Sequence, residues 1–415
     1  MKKISLNYGA VILVMILVVS GGCGNRSEKK PNEMQKEYLK GTYGYDAGFF
    51  RKQKINFIEL KDSTSGAYVL VVPGYQGRVM TSSSGGYEGK SYGWINYKHI
   101  ESGKLSDQFN PFGGEERFWL GPEGGPFSIY FRKGDEQVFP NWKVPAQLDT
   151  ESFDLVSMDD GKASFKKDFT LANASGTIMT IGVERNIMLL GRTDAGTILK
   201  TDVDPGLSFV AYETENTLIN KGKNIWNASE GFLSIWLLGM FNPSERGIVF
   251  IPFTPVKGKF LTDDYFGKVP ADRLIVKDSI LFFRVDGKHR SKIGISPDAA
   301  KSLCGSYDPD SKTLTILWLS LPETRMPYAN SKWGKQDDPL KGDAVNSYND
   351  GPVEDGSIMG PFYEIESSSP AALLPVGGSI THTQRIFHIS GDEAKLSLIT
   401  QKLFGVSIEA IKGMF

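Results

Sequence analysis

The sequence predicts an all-β fold, a large antiparallel β-sandwich that ends in a short helix. Short runs rich in β-branched and aromatic residues recur along the chain, each bounded by Gly, Pro, Asn or Asp, which is the pattern of consecutive strands. Helix signals are scarce, and no internal repeat of fixed short period occurs, which argues against a propeller or a solenoid. Two large sheets packed face to face are the architecture that remains.

The first 22 residues have the order of a secretory signal peptide. Lys2 and Lys3 precede the apolar run 10–19, and three small residues follow at 20–22. The apolar run is about half as long as a transmembrane helix requires. We therefore expect residues 1–22 to be removed and the mature protein to lie outside the cytoplasm.

Cys23 directly follows these small residues and resembles the cysteine of the bacterial lipobox, which is lipidated and becomes the first residue. Ser20 stands where that pattern usually has Leu, so a soluble periplasmic product is the alternative. Residues 23–40 begin at this cysteine, are polar and charged, and are predicted to be a tether. The only other cysteine is Cys304, so lipidation of Cys23 leaves no intramolecular disulfide. The resemblance implies a lipid anchor in the outer membrane, on its periplasmic or its surface side.

Residues 41–415 are predicted to form a single β-sandwich domain, since all-β domains often exceed the usual domain length. Each predicted strand joins apolar and aromatic residues between turn residues. These strands are 67–72, 127–131, 164–171, 177–190, 207–219, 233–238, 247–253, 278–285, 314–319, 361–367 and 379–389.

The clearest helix signal lies near the end of the chain. Asp392 can cap the first turn, Leu396, Ile399 and Leu403 fall on one face, and Gly405 supplies the stop. We expect this helix to pack on the sheets as a terminal lid.

The charge balance excludes two classes of partner. The chain carries 47 basic and 48 acidic residues, for a net charge of -1, so it lacks the basic surface that nucleic acid or anionic lipid requires. Its glycines do not form a phosphate-binding loop, and no Gly-x-Ser-x-Gly elbow indicates a serine hydrolase. The four histidines are dispersed and give no zinc-ligand spacing beyond a speculative His382/His388 pair.

The stretch 322–360 has almost no apolar periodicity, yet it contains aromatic residues among acids and amides. Disordered segments are poor in aromatics, so an ordered loop over a cleft is favoured over disorder. Trp333, Tyr348 and Asp350 are its candidate sugar-binding residues. No cofactor is predicted, although a calcium ion is a chemically reasonable addition. The candidate calcium ligands are Asp343, Asn349 and Asp350.

The glycine-rich segment 110–125 is the densest group of residues suited to a sugar. Sugars present flat apolar faces and a fringe of hydroxyls, so they are bound by aromatic platforms together with charged groups. Arg117, Trp119 and Glu123 offer that set. The alternative is a structural turn that carries a core tryptophan and a surface ion pair.

A second group lies on two late strands. Glu364 and Glu366 point to the same face of their strand, and a short connection makes the strand of His382 a plausible neighbour. A carboxylate and an imidazole that meet can transfer protons. The alternative is an exposed sheet face with polar residues.

Several fragments resemble the aldose 1-epimerases, the galactose mutarotase-like group. These are VLVVPGYQGRVMT at 69–81 and 362–384 with its LPVGGS and Thr381-His382, and ETENTLIN at 213–220 is similar to strands across the wider set of sugar-processing β-supersandwiches. The pieces GGEERFWLGPEGG, LSIWLLGMFNPS and GPFYEIESSSPA look like an uncharacterised group of bacterial lipoproteins with a mutarotase-like fold. The resemblance implies a β-supersandwich that handles carbohydrate.

The resemblance also implies catalytic roles. In mutarotases a glutamate on a late strand is the general base, and the matching position here is Glu366. The family's acid, a histidine on a central strand, has no counterpart, because the sequence has no histidine between His99 and His289. The mutarotase hypothesis therefore assigns Glu366 as the base and either His382 or His289 as the acid.

Three functions stand as alternatives. The first is an outer-membrane-associated lipoprotein that binds carbohydrate in the cleft, without proven catalysis. The second is a mutarotase, which interconverts the anomers of a free sugar through its open-chain aldehyde. The third is a structural protein of the cell envelope, which needs no cleft. One scaffold hosts many functions, so the fold does not decide between them.

Overall fold

A computed structural model describes residues 36–353 and 356–415, and the predicted signal peptide and lipid-bearing Cys23 lie outside these residues. The strands are β1 Ile58–Asp62, β2 Ala67–Val72, β3 Arg78–Ser83, β4 Arg117–Gly121, β5 Asp154–Met158, β6 Lys162–Ala172, β7 Ile178–Leu190, β8 Ser208–Asn220, β9 Ser234–Phe241, β10 Ile248–Pro252, β11 Leu261–Thr262, β12 Leu274–Lys277, β13 Ile280–Arg284, β14 Ser291–Ile295, β15 Leu303–Asp308, β16 Thr313–Leu319, β17 Val345–Asn349, β18 Tyr363–Ser368 and β19 Ser379–Ser390. The α-helices are α1 Tyr43–Lys52, α2 Tyr97–Ser102, α3 Ala146–Asp149, α4 Arg192–Leu199, α5 Glu393–Phe404 and α6 Ile408–Lys412.

The described strands form three antiparallel sheets. A ten-stranded sheet has the order β12-β13-β10-β15-β16-β19-β8-β7-β6-β5, and a six-stranded sheet has the order β11-β14-β17-β18-β9-β4. β1, β2 and β3 form a small third sheet. The predicted all-β sandwich of large antiparallel sheets is therefore confirmed.

Strand alternation divides the apolar residues between two layers. On β19, Ile386 packs with Ile365 and Leu237 of the six-stranded sheet in the core between the large sheets. The next residue, Phe387, points to the opposite face of β19, where it packs with Leu396 of α5. Helices α4, α5 and α6 cover that part of the ten-stranded sheet.

The terminal helix follows its sequence signals. Asp392 is the N-cap of α5 and accepts a hydrogen bond from the Lys395 backbone N–H, and Gly405 ends the helix with a φ of 73°, a left-handed conformation that glycine adopts without a Cβ penalty. Leu396 and Ile399 are buried against the ten-stranded sheet, so the expected terminal lid is confirmed. Within the described residues, no helix is long and apolar enough to span a membrane.

Most predicted strands are present with small shifts of their ends, and two predictions need correction. Residues 127–131 are not a strand, because Phe127, Ile129 and Phe131 fill the core from an irregular loop. The stretch 322–360 is not one loop, since it contains β17 in the middle of the six-stranded sheet.

Candidate functional site

The site is built on β18, in the centre of the six-stranded sheet. Tyr363 and Ile365 of this strand face the core between the large sheets, so Glu364 and Glu366 lie on its opposite face, as the alternation of a strand requires. In register with them across the sheet lie residues of β14, β17, β9 and β4. We call Arg117, Glu123, Lys292, Glu364 and Glu366 the charged cluster.

Glu366 is fully buried, and only one of its two carboxylate oxygens has hydrogen-bond partners. Its Oε2 accepts hydrogen bonds from Trp236 Nε1 at 2.8 Å and from Lys292 Nζ at 2.9 Å, whereas its Oε1 has no partner in the protein. Burial lowers the pKa of Lys292, but the negative charges of Glu366 and Glu123 outweigh burial and raise that pKa overall. Lys292 is therefore a stable cation that holds Glu366 in place.

Arg117 contacts the other glutamate of β18. Its Nη2 lies 3.2 Å from Glu364 Oε1, and its guanidinium lies 3.9 Å above the centre of the Trp119 ring, a favourable cation–π geometry. Arg117 Nε and Nη1 are buried and without a partner. Burial lowers the pKa of Arg117, and Glu364 opposes that shift.

The carboxyl groups of the cluster differ in their readiness to hold a proton. Burial raises the pKa of Glu364 to about 8; Arg117 counteracts this, and the neighbouring charge of Glu366 adds to it. Burial also raises the pKa of Glu123, although Lys292 lowers it. A carboxyl that keeps its proton near neutral pH, beside a carboxylate paired with Lys292, is a combination suited to acid–base chemistry.

The rim of the cluster consists of partly exposed side chains. Glu123, Tyr265, Lys292 and Trp333 are all half-buried. Tyr265 donates a hydrogen bond to Asp343 Oδ2 at 2.6 Å, and Lys292 Nζ lies 5.5 Å from the centre of the Tyr265 ring. The buried polar atoms of the cluster therefore lie behind aromatic and charged groups that reach the surface.

Tyr348 and Asp350 extend the same face. Tyr348 of β17 pairs in register with Lys292 on one side and with Glu364 on the other. Its hydroxyl donates to Asp350 Oδ1 at 2.9 Å, and the Gly360 N–H donates to Asp350 Oδ2 at 2.8 Å. The predicted residues Tyr348, Asp350 and Glu364 thus lie together.

Trp119 does not present an open platform to a ligand. It is buried with 3% exposure, its Nε1 donates to the Leu148 carbonyl at 3.0 Å, and its ring packs against Trp236. It contacts the cluster through Arg117, whose guanidinium lies over its ring. In contrast, Trp333 is half-exposed and belongs to the rim.

The expected meeting of Glu366 with His382 does not occur. β18 and β19 belong to different sheets, because the connection 369–378 crosses from one sheet to the other instead of forming a hairpin. The His382 ring nitrogens lie 2.8 Å from Ser367 Oγ and 3.1 Å from Ser320 Oγ. Since Ser367 points to the opposite face of β18 from Glu366, the prediction that these strands pair was wrong.

His289 lies in the loop between β13 and β14, three residues before Lys292, and its side chain is exposed. Its backbone carbonyl, not its imidazole, holds the loop by accepting a hydrogen bond from Asn349 Nδ2 at 2.9 Å. The structure thus places this histidine at the surface end of β14.

The three candidate calcium ligands do not converge. Asp343 accepts from Tyr265, whereas Asn349 Oδ1 accepts from the Gly287 N–H at 2.9 Å and lies on the core side of β17. Asp350 has its own donors, as described above. Among residues 36–353 and 356–415, no group of three His, Cys, Asp or Glu side chains is arranged to hold a metal ion.

Sequence reasoning missed Trp236, Tyr265 and Lys292. Lys292 alternates with Ser291 and Ile293 on a short strand, and this alternation does place a lysine opposite an apolar face. Trp236 lies in the entirely buried strand β9, where its sequence context does not distinguish a core position from a site position.

Residues 41–415 match the model of a family described as a family of unknown function, DUF6786. A search of the curated proteins gave no match. The Slr1438 protein of Synechocystis has 12% identity and a TM-score of 0.47, over 81% of this chain and 96% of its own.

Two further solved structures carry the mutarotase name that the sequence resemblance indicated. A galactose mutarotase-like protein from Lactobacillus casei has 10% identity and a TM-score of 0.44, over 80% of this chain and 100% of its own. A galactose mutarotase related enzyme from Lactobacillus acidophilus has 9% identity and a TM-score of 0.44, over 80% of this chain and 97% of its own. At these identities the likeness concerns the fold alone.

Proposed function

The chain belongs to the family of unknown function DUF6786, and we propose that the charged cluster on its six-stranded sheet binds carbohydrate. The observation that carries the proposal is the set of buried polar atoms without a protein partner. Glu366 Oε1, Arg117 Nε and Arg117 Nη1 belong to this set. An unpartnered buried polar group costs about 1 to 3 kcal/mol or more, so native proteins retain such groups mainly where ordered water, an ion or a ligand satisfies them.

Sugar hydroxyls match these atoms in chemistry. A hydroxyl both donates and accepts hydrogen bonds, so one sugar can donate to Glu366 Oε1 while it accepts from Arg117 Nη1. The half-buried rings of Tyr265 and Trp333 at the rim supply apolar surface for the flat face of a sugar ring.

A mutarotase activity is the second candidate, and the pair Glu364 and Glu366 favours it. Mutarotation requires a base that takes the proton of the anomeric hydroxyl and an acid that protonates the ring oxygen. Glu366 accepts bonds from Lys292 and Trp236 as a carboxylate does. Because its pKa is raised to about 8, Glu364 carries a proton at neutral pH. Glu364 thus takes the role of acid in this proposal, in place of His382.

Calorimetric titration with a panel of monosaccharides tests the binding proposal. We expect Glu366→Gln and Arg117→Met each to weaken binding at least about tenfold, the loss expected for one charge-assisted hydrogen bond. Glu215→Gln is the matched control, since Glu215 is exposed on the ten-stranded sheet. Binding that survives both cluster substitutions places the sugar elsewhere and contradicts the proposal.

Polarimetry separates binding from catalysis. Freshly dissolved α-glucose or α-galactose should equilibrate faster with the wild-type protein than with Glu366→Gln or Glu364→Gln if the second candidate is correct. If a sugar binds but its anomers equilibrate only at the spontaneous rate, binding without catalysis is the function. If no sugar binds, the structural role in the cell envelope becomes the better explanation.

For the N-terminal region we propose that Cys23 carries a lipid that anchors the protein in the outer membrane. The support is the order of charged, apolar and small residues that ends at this cysteine. A Cys23→Ser variant should lose labelling by a radioactive fatty acid and appear in the soluble fraction, and Cys304→Ser should change neither. A Cys23→Ser protein that stays in the membrane fraction contradicts the proposal.

A further inference from the structure

A cavity of about 480 Å³ opens between the loop after β4 and the loop before β17. This volume lies in the range of small-molecule sites, roughly 300 to 1,000 Å³. Gly125, Gly134 and Gly334 line the cavity, so its wall at these positions is backbone without side chains. The polar side chains in its wall are Arg132, Asp135, Gln137, Ser175, Lys335 and Gln336.

One layer of residues separates this cavity from the charged cluster. Gly124 packs directly on the other loop, because a Cβ at this position would lie 2.4 Å from the Lys332 carbonyl oxygen. The neighbouring Glu123 belongs to the cluster and forms a side-chain hydrogen bond with Trp333. Gly125 and Gly334, each next to one of these contacts, line the cavity. The cluster and the cavity therefore share the wall formed by Gly124 and Trp333.

Gln137 fixes the two walls of the cavity relative to each other. Its Oε1 accepts from the Gly125 N–H and from the Gly334 N–H, both at 2.8 Å. Its Nε2 donates to the Gly125 carbonyl at 2.7 Å. The cavity is thus preformed, which lowers the entropy cost of filling it.

Aromatic rings continue from the shared wall to the surface. Trp333 stacks on Trp142 with an interplanar angle of 24°, and Phe139 stacks on the same ring at 18°. Phe139 is 56% exposed, and Trp142 Nε1 is buried without a partner. Of these rings, Phe139 offers exposed apolar surface to a sugar.

We propose that this cavity is a second sugar subsite and that the ligand is an oligosaccharide, with one unit at the charged cluster and a more distant unit in the cavity beyond Trp333. The inference rests on the proposed function of the cluster. The charged and amide side chains of the cavity supply donors and acceptors for hydroxyl groups. A monosaccharide cannot contact both sides of the shared wall, so the two subsites together select for length.

Calorimetry on the full chain with glucose oligomers and galactose oligomers of one to four units tests this. We expect the tetramer of the matching series to bind at least about tenfold tighter than its monomer, a gain that one added set of sugar contacts supplies. The double variant Arg132→Ala/Lys335→Ala should lose most of this gain and keep the monomer affinity. Arg246→Ala/Lys257→Ala removes one exposed arginine and one exposed lysine elsewhere and should behave as wild type.

The outcomes distinguish the subsite from the cluster. If the oligomers bind no tighter than the monomer, or if Arg132→Ala/Lys335→Ala leaves the gain intact, the second subsite is excluded and the proposed function stands. If Glu366→Gln has no effect on any sugar, the proposed function fails, and the two-subsite arrangement fails with it. If neither series binds at any length, both are overturned.

Discussion

The six-stranded sheet carries buried charged and polar side chains on both faces, and the two faces differ in how these groups are satisfied. On the face away from the ten-stranded sheet, Glu366 and Arg117 each keep polar atoms without a partner. On the face toward the core, Ser367 begins a chain of hydrogen bonds that continues through Gln384 to Glu116. We call this second set the inner network.

The inner network joins neighbouring strands through mutual contacts. Glu116 Oε2 accepts from Thr214 and Gln384, both at 2.8 Å, and Glu116 Oε1 lies 2.8 Å from Arg185 Nη2. Arg185 also donates to the Gly77 carbonyl at 3.0 Å and to Asn216 Oδ1 at 2.6 Å. Glu116 Oε1 and Arg185 Nη2 form no hydrogen bond, but they are paired with each other as opposite charges, and the remaining bonding sites named here are directed at other protein groups.

Burial of charge alone therefore does not mark a functional site. A buried ion pair with additional hydrogen bonds serves the structure, and removal of one partner leaves an uncompensated charge. A buried ion pair with unused donors and acceptors has capacity for a ligand. The charged cluster and the inner network therefore predict different consequences for similar substitutions.

The largest expected effect is on the inner network. Arg185→Met should lower the free energy of unfolding by about 3 to 5 kcal/mol, because it leaves Glu116 as a buried charge without its cation. Arg117→Met should cost less, about 1 to 3 kcal/mol, since Glu364, whose pKa is raised to about 8, holds a proton at neutral pH and is not left as an unpaired charge. Urea unfolding of both variants measures the difference. Equal losses would remove the distinction between the two faces.

The sequence predicted the long strands well because their pattern is regular. In β6, β7 and β8 buried residues alternate with exposed or half-buried ones, which is the signal that a half-buried strand leaves. β17 was missed, because Val345–Asn349 is buried on both faces yet consists mainly of polar residues. These polar residues are satisfied by neighbours from distant parts of the chain, which the local pattern does not contain.

The sequence indicated several residues of the candidate site, but it did not indicate which of them contact one another. Glu364 and Glu366 were assigned to one face from strand alternation, which is a local property. Their partners Arg117 and Lys292 come from β4 and β14, and only the strand order of the folded sheet brings these together. For the same reason the short connection before His382 was misleading, since loop length does not reveal whether two strands share a sheet.

The free energy of unfolding should depend on pH in opposite ways through the charged cluster and through the inner side of the sheet. The pKa of Glu364 is about 8 in the folded protein, against an ordinary value of 4.5. Between these values the folded protein holds a proton that the unfolded chain has lost, so the free energy of unfolding should fall as the pH rises from about 4.5 to about 8. In Glu364→Gln this decline should be smaller, as measured by urea unfolding at several pH values. The control Glu215→Gln should keep the wild-type decline, and a Glu364→Gln protein that also keeps it contradicts the prediction.

The inner face should show the opposite sign. Burial lowers the pKa of His382 to about 3 from its ordinary 6.5, so the unfolded chain binds a proton in this range while the folded protein does not. The free energy of unfolding should therefore fall as the pH decreases from about 6.5 to about 3. His382→Gln should reduce this acid sensitivity relative to wild type, whereas His289→Gln at an exposed position should leave it unchanged. If the two variants respond alike, His382 is not the source.

The smallest expected effect concerns Trp333, and its matched control is Trp119. Trp119 is packed in the core below Arg117, so Trp119→Ala should lower the free energy of unfolding by about 3 to 5 kcal/mol, as for other buried tryptophans. Trp333 is half-exposed at the rim, and its loop is also held by Gln137. Trp333→Ala should therefore cost less than Trp119→Ala, about 1 to 2 kcal/mol of stability, because Trp333 is partly exposed, although the change removes its packing on Phe131 and Trp142. The same substitution should weaken sugar binding by about 0.5 to 1.5 kcal/mol, the contribution of one aromatic stacking contact. Thermal unfolding and calorimetric titration of both variants provide the comparison. Strong destabilisation of Trp333→Ala would assign this residue to the core. Sugar binding as tight as in the wild type would exclude it from the rim of the site.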